Sequence, residues 1–172
     1  ENILIDKKFF IAASHQSMFE TFYLQTIFNS PVFILKNELL FIPIFGWYLK
    51  KIGSISIKRD KISRDNLEFF DKIKKNINNS ERPLIIFPQA TRVSPTERPD
   101  FKKGAARIYK ELNIYCQPVA INSGYVWPKI GKKKSNKEIK ISILKPLGPG
   151  LDSEEFLKVL QKEIYNELDI LN

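Results

Sequence analysis

Short apolar runs alternate with segments of helical periodicity along this chain. Phe9–Ala13 (FFIAA) is a compact apolar run of the kind that forms a buried strand, and after Ser14-His15-Gln16-Ser17 a helical pattern continues to about Phe28. Pro31–Leu35 reads as a second strand. Ser54–Lys58 alternates with period two, and Pro83–Phe87 (PLIIF) is the strongest buried-strand pattern. Between them Arg64–Asn78 places Leu67, Phe70, Ile73 and Ile77 on one helical face. Pro88–Asp100, rich in proline and charge, is a loop, and Lys103–Leu112 is a short helix ending near Asn113. Ile114–Ile121 and Ile139–Leu147 are further strands. Asp152–Leu171 is a final helix with a stripe of Phe156, Leu160, Ile164 and Leu168, and Asp152 or Ser153 is its N-cap. The order predicts a single α/β domain without repeats or linkers. Glu38–Lys51 stays ambiguous: it is strongly apolar but interrupted by Pro43 and Gly46.

Composition narrows the chemistry. Among 172 residues there is 1 Cys and 1 His. Cys116 therefore excludes an internal disulfide and a cysteine-built zinc site, and fits a reducing compartment. Any histidine chemistry must run through His15. The 28 Lys+Arg against 19 Asp+Glu leave a charge of +9, which favours an anionic partner such as nucleic acid, an anionic bilayer or a phosphorylated substrate. No nucleic-acid motif is present and the aromatics lie mostly in apolar segments, so nucleic acid is not the expected partner. No apolar stretch reaches the roughly 18 residues a membrane span needs, and the opening ENILIDKKFF lacks the order of a signal peptide. Leu39–Leu49 (LLFIPIFGWYL) is uncharged, bears Trp47 and Tyr48, and is followed by Lys50 and Lys51. It suits a bilayer interface, a buried core segment or the wall of an acyl-chain groove.

Ser14–Glu20 (SHQSMFE) joins the lone histidine to a carboxylate five positions on. Within one helix that spacing separates side chains by about 140°. A contact therefore requires His15 in the turn before the helix and Glu20 in its first turn. A carboxylate holding one imidazole nitrogen leaves the other free to take a proton from a hydroxyl. Ser17-x-x-Glu20 equally fits a capping box, in which Glu20 only caps its own helix. Two further segments place cations after strands: Gly53–Arg59 (GSISIKR), and Phe87–Arg92 (FPQATR) with its hydroxyl and guanidinium. Carboxyl ends of strands in open α/β sheets are ligand sites, and Arg matches phosphate with a two-pronged donor. Phe101-Lys102-Lys103-Gly104 then opens a helix whose amides suit an anion.

Taken in order, SHQSMFE, GSISIKR, FPQATR and Gln117-Pro118-Val119-Ala120-Ile121 resemble the four motif blocks of the glycerolipid acyltransferase family, most nearly its bacterial 1-acylglycerol-3-phosphate members. The family writes them N-H-x-S-x-x-D, G-x-[IV]-[FI]-[IV]-x-R, F-P-E-G-T-R and V-P-V. The resemblance spans Phe9 to the C-terminus. It implies one acyltransferase domain over residues 1–172, with a mixed, mostly parallel sheet flanked by helices; the upstream membrane-associated segment common in the family is expected to lie outside it. It further implies transfer of a fatty acyl group from acyl-CoA or acyl carrier protein to the hydroxyl of lysophosphatidic acid, giving phosphatidic acid. His15 would be the base and Glu20 its orienting partner. Arg59, Gln89, Thr91, Arg92, Lys102 and Lys103 would form the acceptor site. The thioester is a co-substrate, and no metal or tightly bound cofactor is called for. The expected location is the cytoplasmic face of the cell membrane. Other readings are a different acceptor (glycerol-3-phosphate or another lysolipid) and a non-catalytic basic membrane-binding module. Glu20, Gln89 and Ala90 stand where the family has Asp, Glu and Gly, and Ala90 is strained if its position requires positive φ.

Overall fold

The computed structural model describes residues 2–57, 64–134 and 136–172, with 64–67 as backbone only. Six strands form one sheet: β1 (Phe9–Ala13), β2 (Val32–Lys36), β3 (Ile55–Ile57), β4 (Leu84–Ile86), β5 (Tyr115–Ile121) and β6 (Ile141–Ile143). Their order is β3-β2-β4-β1-β5-β6, parallel throughout except for the antiparallel β5–β6 pair at one edge. The two uniformly apolar strands are central, as burial on both faces demands: β1 lies between β4 (Ile11 opposite Ile85) and β5 (Ala12 opposite Pro118), and β4 between β2 and β1.

The side-chain alternation of β1 divides the core in two. Phe10 and Ala12 face one layer with Phe70, Ile73 and Ile77 of α3 (Arg64–Asn79), Ala105 and Ile108 of α4 (Lys103–Leu112), and the Phe156–Leu160–Ile164–Leu168 stripe of α5 (Ser153–Leu171). Ile11 and Ala13 face the other, with Leu24 of α1 (Phe19–Ile27), Phe28, Phe33 and Ile85. Of the four residues that mark the predicted α3 stripe, Leu67 lies outside the described side chains. Asp152 is the α5 N-cap: its Oδ1 accepts from the Glu154 and Glu155 amides at 2.8 and 3.0 Å. Asn113 ends α4 in the left-handed region at φ 48°.

The ambiguous segment resolves into two short pieces, a 3-10 turn at Asn37–Phe41 and the helix α2 (Phe45–Lys51). Pro43 lies in the break between them, where its missing N–H costs nothing. The two pieces pack tightly at Gly46, where a Cβ would stand 2.2 Å from the Leu40 carbonyl oxygen. Leu49 is buried, whereas Phe41, Ile44 and Trp47 are 75%, 85% and 65% exposed. Different residues of this segment therefore face the interior and the solvent. Among the described residues no helix is long and apolar enough to cross a membrane.

Candidate active site

Because β1, β2, β4 and β5 run in parallel, the segments that leave their carboxyl ends meet on one side of the sheet. β1 runs into Ser14, whose amide still bonds the Val119 carbonyl at 3.0 Å, and delivers His15 to the turn before α1. The imidazole stacks on Phe87, which follows β4, with ring centroids 3.9 Å apart. Two backbone bonds pin the histidine's main chain: its N–H donates to Gln89 Oε1 at 2.7 Å, and its carbonyl accepts from the Val93 amide at 2.9 Å.

His15 Nδ1 is 3.5 Å from Glu20 Oε2, with the Glu20 side chain fully buried and the His15 side chain 16% exposed. Glu20 is the second residue of α1, so histidine and carboxylate occupy the turn-and-first-turn positions that the five-residue spacing requires. The capping reading describes the same carboxylate. Glu20 accepts from the Gln16 and Ser17 amides, each at 3.1 Å. Ser17 Oγ does not complete the reciprocal box, since it accepts from Phe19 N–H at 2.9 Å. Glu20 thus caps the helix entrance with its backbone bonds and turns Oε2 toward the imidazole. The hydroxyl of Ser123, after β5, donates to Oε1 from the far side.

A cavity of about 260 Å³ opens in front of the imidazole. His15, Thr21, Lys36, Thr91 and Arg92 supply its polar wall, and residues such as Phe33, Leu35, Leu39, Phe45, Leu49 and Phe87 its apolar wall. Inward-facing residues of the Leu39–Leu49 segment therefore line this cavity while its outward-facing ones meet solvent. A second cavity of about 420 Å³ shares Ile34, Leu35, Phe87 and Ala90 with the first, and carries Lys102 and Arg107 beside Phe69 and Phe70.

Of the residues expected from sequence, His15, Thr91 and Arg92 line the first cavity and Glu20 stands behind His15. Lys102 lines the second cavity, while Lys103 is exposed and lines neither. Gln89 is 2% exposed and holds the His15 backbone instead of forming cavity wall. Arg59 lies outside the described residues. Lys36 and Lys129 are cations the sequence reading did not single out. Lys36 ends β2 at the cavity wall, and Lys129 Nζ donates to the Arg92 carbonyl at 3.2 Å. A lysine closing an apolar strand was the available signal for Lys36; Lys129 has none, because only folding brings its loop to Arg92. Among the described residues no group of three or more His, Cys, Asp or Glu side chains is placed to hold a metal ion.

Ala90 has φ 62°, the left-handed conformation in which an L-residue is strained. Restoring glycine with Ala90→Gly is expected to raise stability by about 0.5–1 kcal/mol, because the relieved strain exceeds the added unfolded-state entropy. Urea denaturation of the two proteins checks this; an unchanged or lowered midpoint would show that the loop does not store that strain.

The fold and site together define an α/β protein with a histidine–carboxylate pair facing a cavity that is cationic on one side and apolar on the other. The chain belongs to the Acyltransferase family, whose model matches residues 1–122. It is 31% identical over 151 residues to a 1-acyl-sn-glycerol-3-phosphate acyltransferase of Pseudomonas aeruginosa, covering 87% of this chain and 56% of that protein. It is 30% identical over 152 residues to the enzyme of that name in Saccharomyces cerevisiae, covering 86% and 50%. The chain thus spans about half the length of these curated relatives. The crystal structure of the 1-acyl-sn-glycerophosphate (LPA) acyltransferase of Thermotoga maritima superposes with a TM-score of 0.81 at 24% identity, over 99% of this chain and 68% of that one. That likeness establishes the fold, including the single mixed sheet expected from sequence.

Proposed function

We propose that the chain transfers a fatty acyl group from a thioester, acyl-CoA or acyl carrier protein, to the free hydroxyl of lysophosphatidic acid, making phosphatidic acid. The observation that carries this reading is the buried Glu20 carboxylate 3.5 Å from Nδ1 of a histidine that lines the same cavity as Arg92. Nδ1 faces Glu20, so Nε2 is the nitrogen left for substrate. It takes the proton of the acceptor hydroxyl as that oxygen attacks the thioester carbon. The tetrahedral intermediate then expels the thiolate, which receives the proton from the imidazolium. Glu20 fixes the ring and offsets its positive charge while the proton is held there. Arg92 and Lys36, with Thr91 beside them and Arg59 from outside the described residues, supply donors for the acceptor phosphate. The apolar wall of the cavity accepts an acyl chain. The curated relatives named for this reaction add support.

Mass spectrometry of products from lysophosphatidic acid with each donor tests the reading. Phosphatidic acid is the expected product. Thioester consumption with glycerol-3-phosphate preferred would move the acceptor, and no acyl transfer with any acceptor would overturn the enzyme reading. Arg92→Ala in the same assay is expected to raise the KM for lysophosphatidic acid by about ten- to a hundredfold, the scale of a charge-assisted hydrogen-bond pair. The donor KM should stay nearly unchanged and Arg92→Lys should restore part of the loss, because Lys keeps the charge without the fork. Equal losses with phosphorylated and unphosphorylated acceptors would remove Arg92 from the phosphate site.

We further propose that the chain works at the cytoplasmic face of an anionic membrane. Phe41, Ile44 and Trp47 project beside the cavity whose wall Leu39, Phe45 and Leu49 form, and Lys50 and Lys51 follow them. Apolar insertion is insensitive to salt, whereas lysine attraction fades as the Debye length falls to about 8 Å at physiological ionic strength. Phe41→Ser/Trp47→Ser is therefore expected to reduce vesicle co-sedimentation at every salt concentration. Neutralising Lys50, Lys51 and Lys132–Lys134 should matter only at low salt. Normal binding by the Phe41/Trp47 variant in high salt would exclude this surface as the insertion site.

A further inference from the structure

Ser123 stands more than a hundred positions from the histidine–carboxylate pair in sequence yet is fully buried against it. Its hydroxyl donates to Glu20 Oε1, which also accepts from the Gln16 and Ser17 amides at 3.1 Å each. Oε2 is left with the Ser17 amide at 3.1 Å and faces His15 Nδ1 at 3.5 Å, a buried nitrogen with no other partner among the described residues. Both backbone donors belong to the turn that carries Glu20, so they move with it. Ser123 is anchored elsewhere, in the short turn Ser123–Tyr125 after β5. Its neighbours hold that turn from both sides. Asn122 Oδ1 accepts from the Lys140 amide at 2.7 Å, and Asn122 Nδ2 donates to the Leu171 carbonyl at 3.0 Å at the end of α5. Gly124 N–H donates to Gln16 Oε1 at 3.0 Å. A Cβ on Gly124 would stand 2.8 Å from Pro95 Cγ and 2.9 Å from Gln16 Cβ, so only glycine permits this approach to the catalytic turn.

We infer that Ser123 is a positioning residue for the reaction: from β5 it fixes the rotation of the Glu20 carboxylate, so that Oε2 holds the Nδ1 proton of His15 and leaves Nε2 bare toward the cavity. This rests on the acyl-transfer reading above, and on the side of a carboxylate that needs a donor independent of its own turn. With the hydroxyl removed, Oε1 is left one donor short in a site closed to water, and the carboxylate rotates to recover one at the expense of His15.

The test uses Ser123→Ala and Ser123→Thr in the full chain, with three readouts. Ser123→Ala is expected to lower kcat about ten- to a hundredfold with KM for both substrates within about twofold, the size of one hydrogen bond to a buried charge. Ser123→Thr keeps the hydroxyl and should recover most of the turnover. In a Glu20→Gln background Ser123→Ala should cost less than about threefold, because the amide already holds His15 in its unreactive tautomer and no carboxylate is left to orient it. The third readout needs no turnover. His15 is the single histidine, so its imidazole nitrogens give one set of nitrogen NMR signals. Wild type should show the tautomer protonated on Nδ1, and Ser123→Ala a mixture. Wild-type imidazole signals in Ser123→Ala overturn the inference, as does an undiminished loss in the Glu20→Gln background. A tautomer shift on Ser123→Ala, with no acyl transfer by the wild type, would retain the positioning role and reject the proposed reaction.

Discussion

His15→Ala is expected to lower turnover by about 10²–10⁴-fold, the usual worth of a positioned general base. Nothing can replace it, since His15 is the only histidine in the chain. The fold should persist, because the bonds that pin position 15 are made by its backbone: its N–H to Gln89 Oε1, and its carbonyl from the Val93 amide. Alanine keeps both. The lost side chain is 16% exposed, stacks on Phe87 and faces the Glu20 carboxylate, which keeps its bonds from Gln16, Ser17 and Ser123, so stability should fall without unfolding. Added free imidazole should restore a measurable fraction of activity by stacking on Phe87 in place of the lost ring. Thiol release from the acyl donor measures turnover, and thermal unfolding checks the fold. Turnover within a factor of a few of wild type would sink the histidine as base.

What could be read from the chain and what could not divide along a physical line. Buried strands announce themselves by continuous apolar runs, so Phe9–Ala13 and the strand within Pro83–Phe87 were legible, as was α5 through its four-residue stripe and its Asp152 cap. The segment from Glu38 to Lys51 was not. Its residues serve three surroundings at once: Gly46 the tight contact with Leu40, Phe45 and Leu49 the cavity, Trp47 the solvent. No single periodicity describes such a piece. The histidine–carboxylate pair was legible because a contact at that spacing requires one geometry, but the same spacing also allowed a cap, and only the structure shows one carboxylate that both bonds the turn amides and stands 3.5 Å from Nδ1. Gln89 stood in a motif and was expected at the substrate; its burial behind His15 is a matter of which way a side chain leaves a turn, which sequence does not encode. Ser123 and Lys129 had no signal at all. Both reach the site through β5 and the loop after it, and a lone serine or lysine there resembles any other until the sheet order is known.

Glu20→Gln is expected to cost about as much as losing the base, roughly 10²–10⁴-fold in kcat, although it changes one oxygen into an amide. The donors around the carboxylate decide how the amide must lie. Oε1 accepts from Gln16, Ser17 and Ser123, so the oxygen of glutamine stays there and its NH2 group takes the place of Oε2. That group then faces His15 Nδ1, 3.5 Å away in the wild type. An amide donor there makes Nδ1 an acceptor and drives the imidazole proton onto Nε2, the nitrogen that must be bare to take the hydroxyl proton. The variant thus keeps most of the cap and holds the histidine in its unreactive tautomer. Glu20→Asp keeps the charge and withdraws it by one methylene, so it should retain more activity than Glu20→Gln while stabilising the helix entrance less well. Steady-state turnover of both variants against their urea midpoints separates the two functions of the carboxylate. Should Glu20→Gln lose stability alone and turn over like wild type, the carboxylate is a cap and nothing more, and His15 would work without an orienting partner.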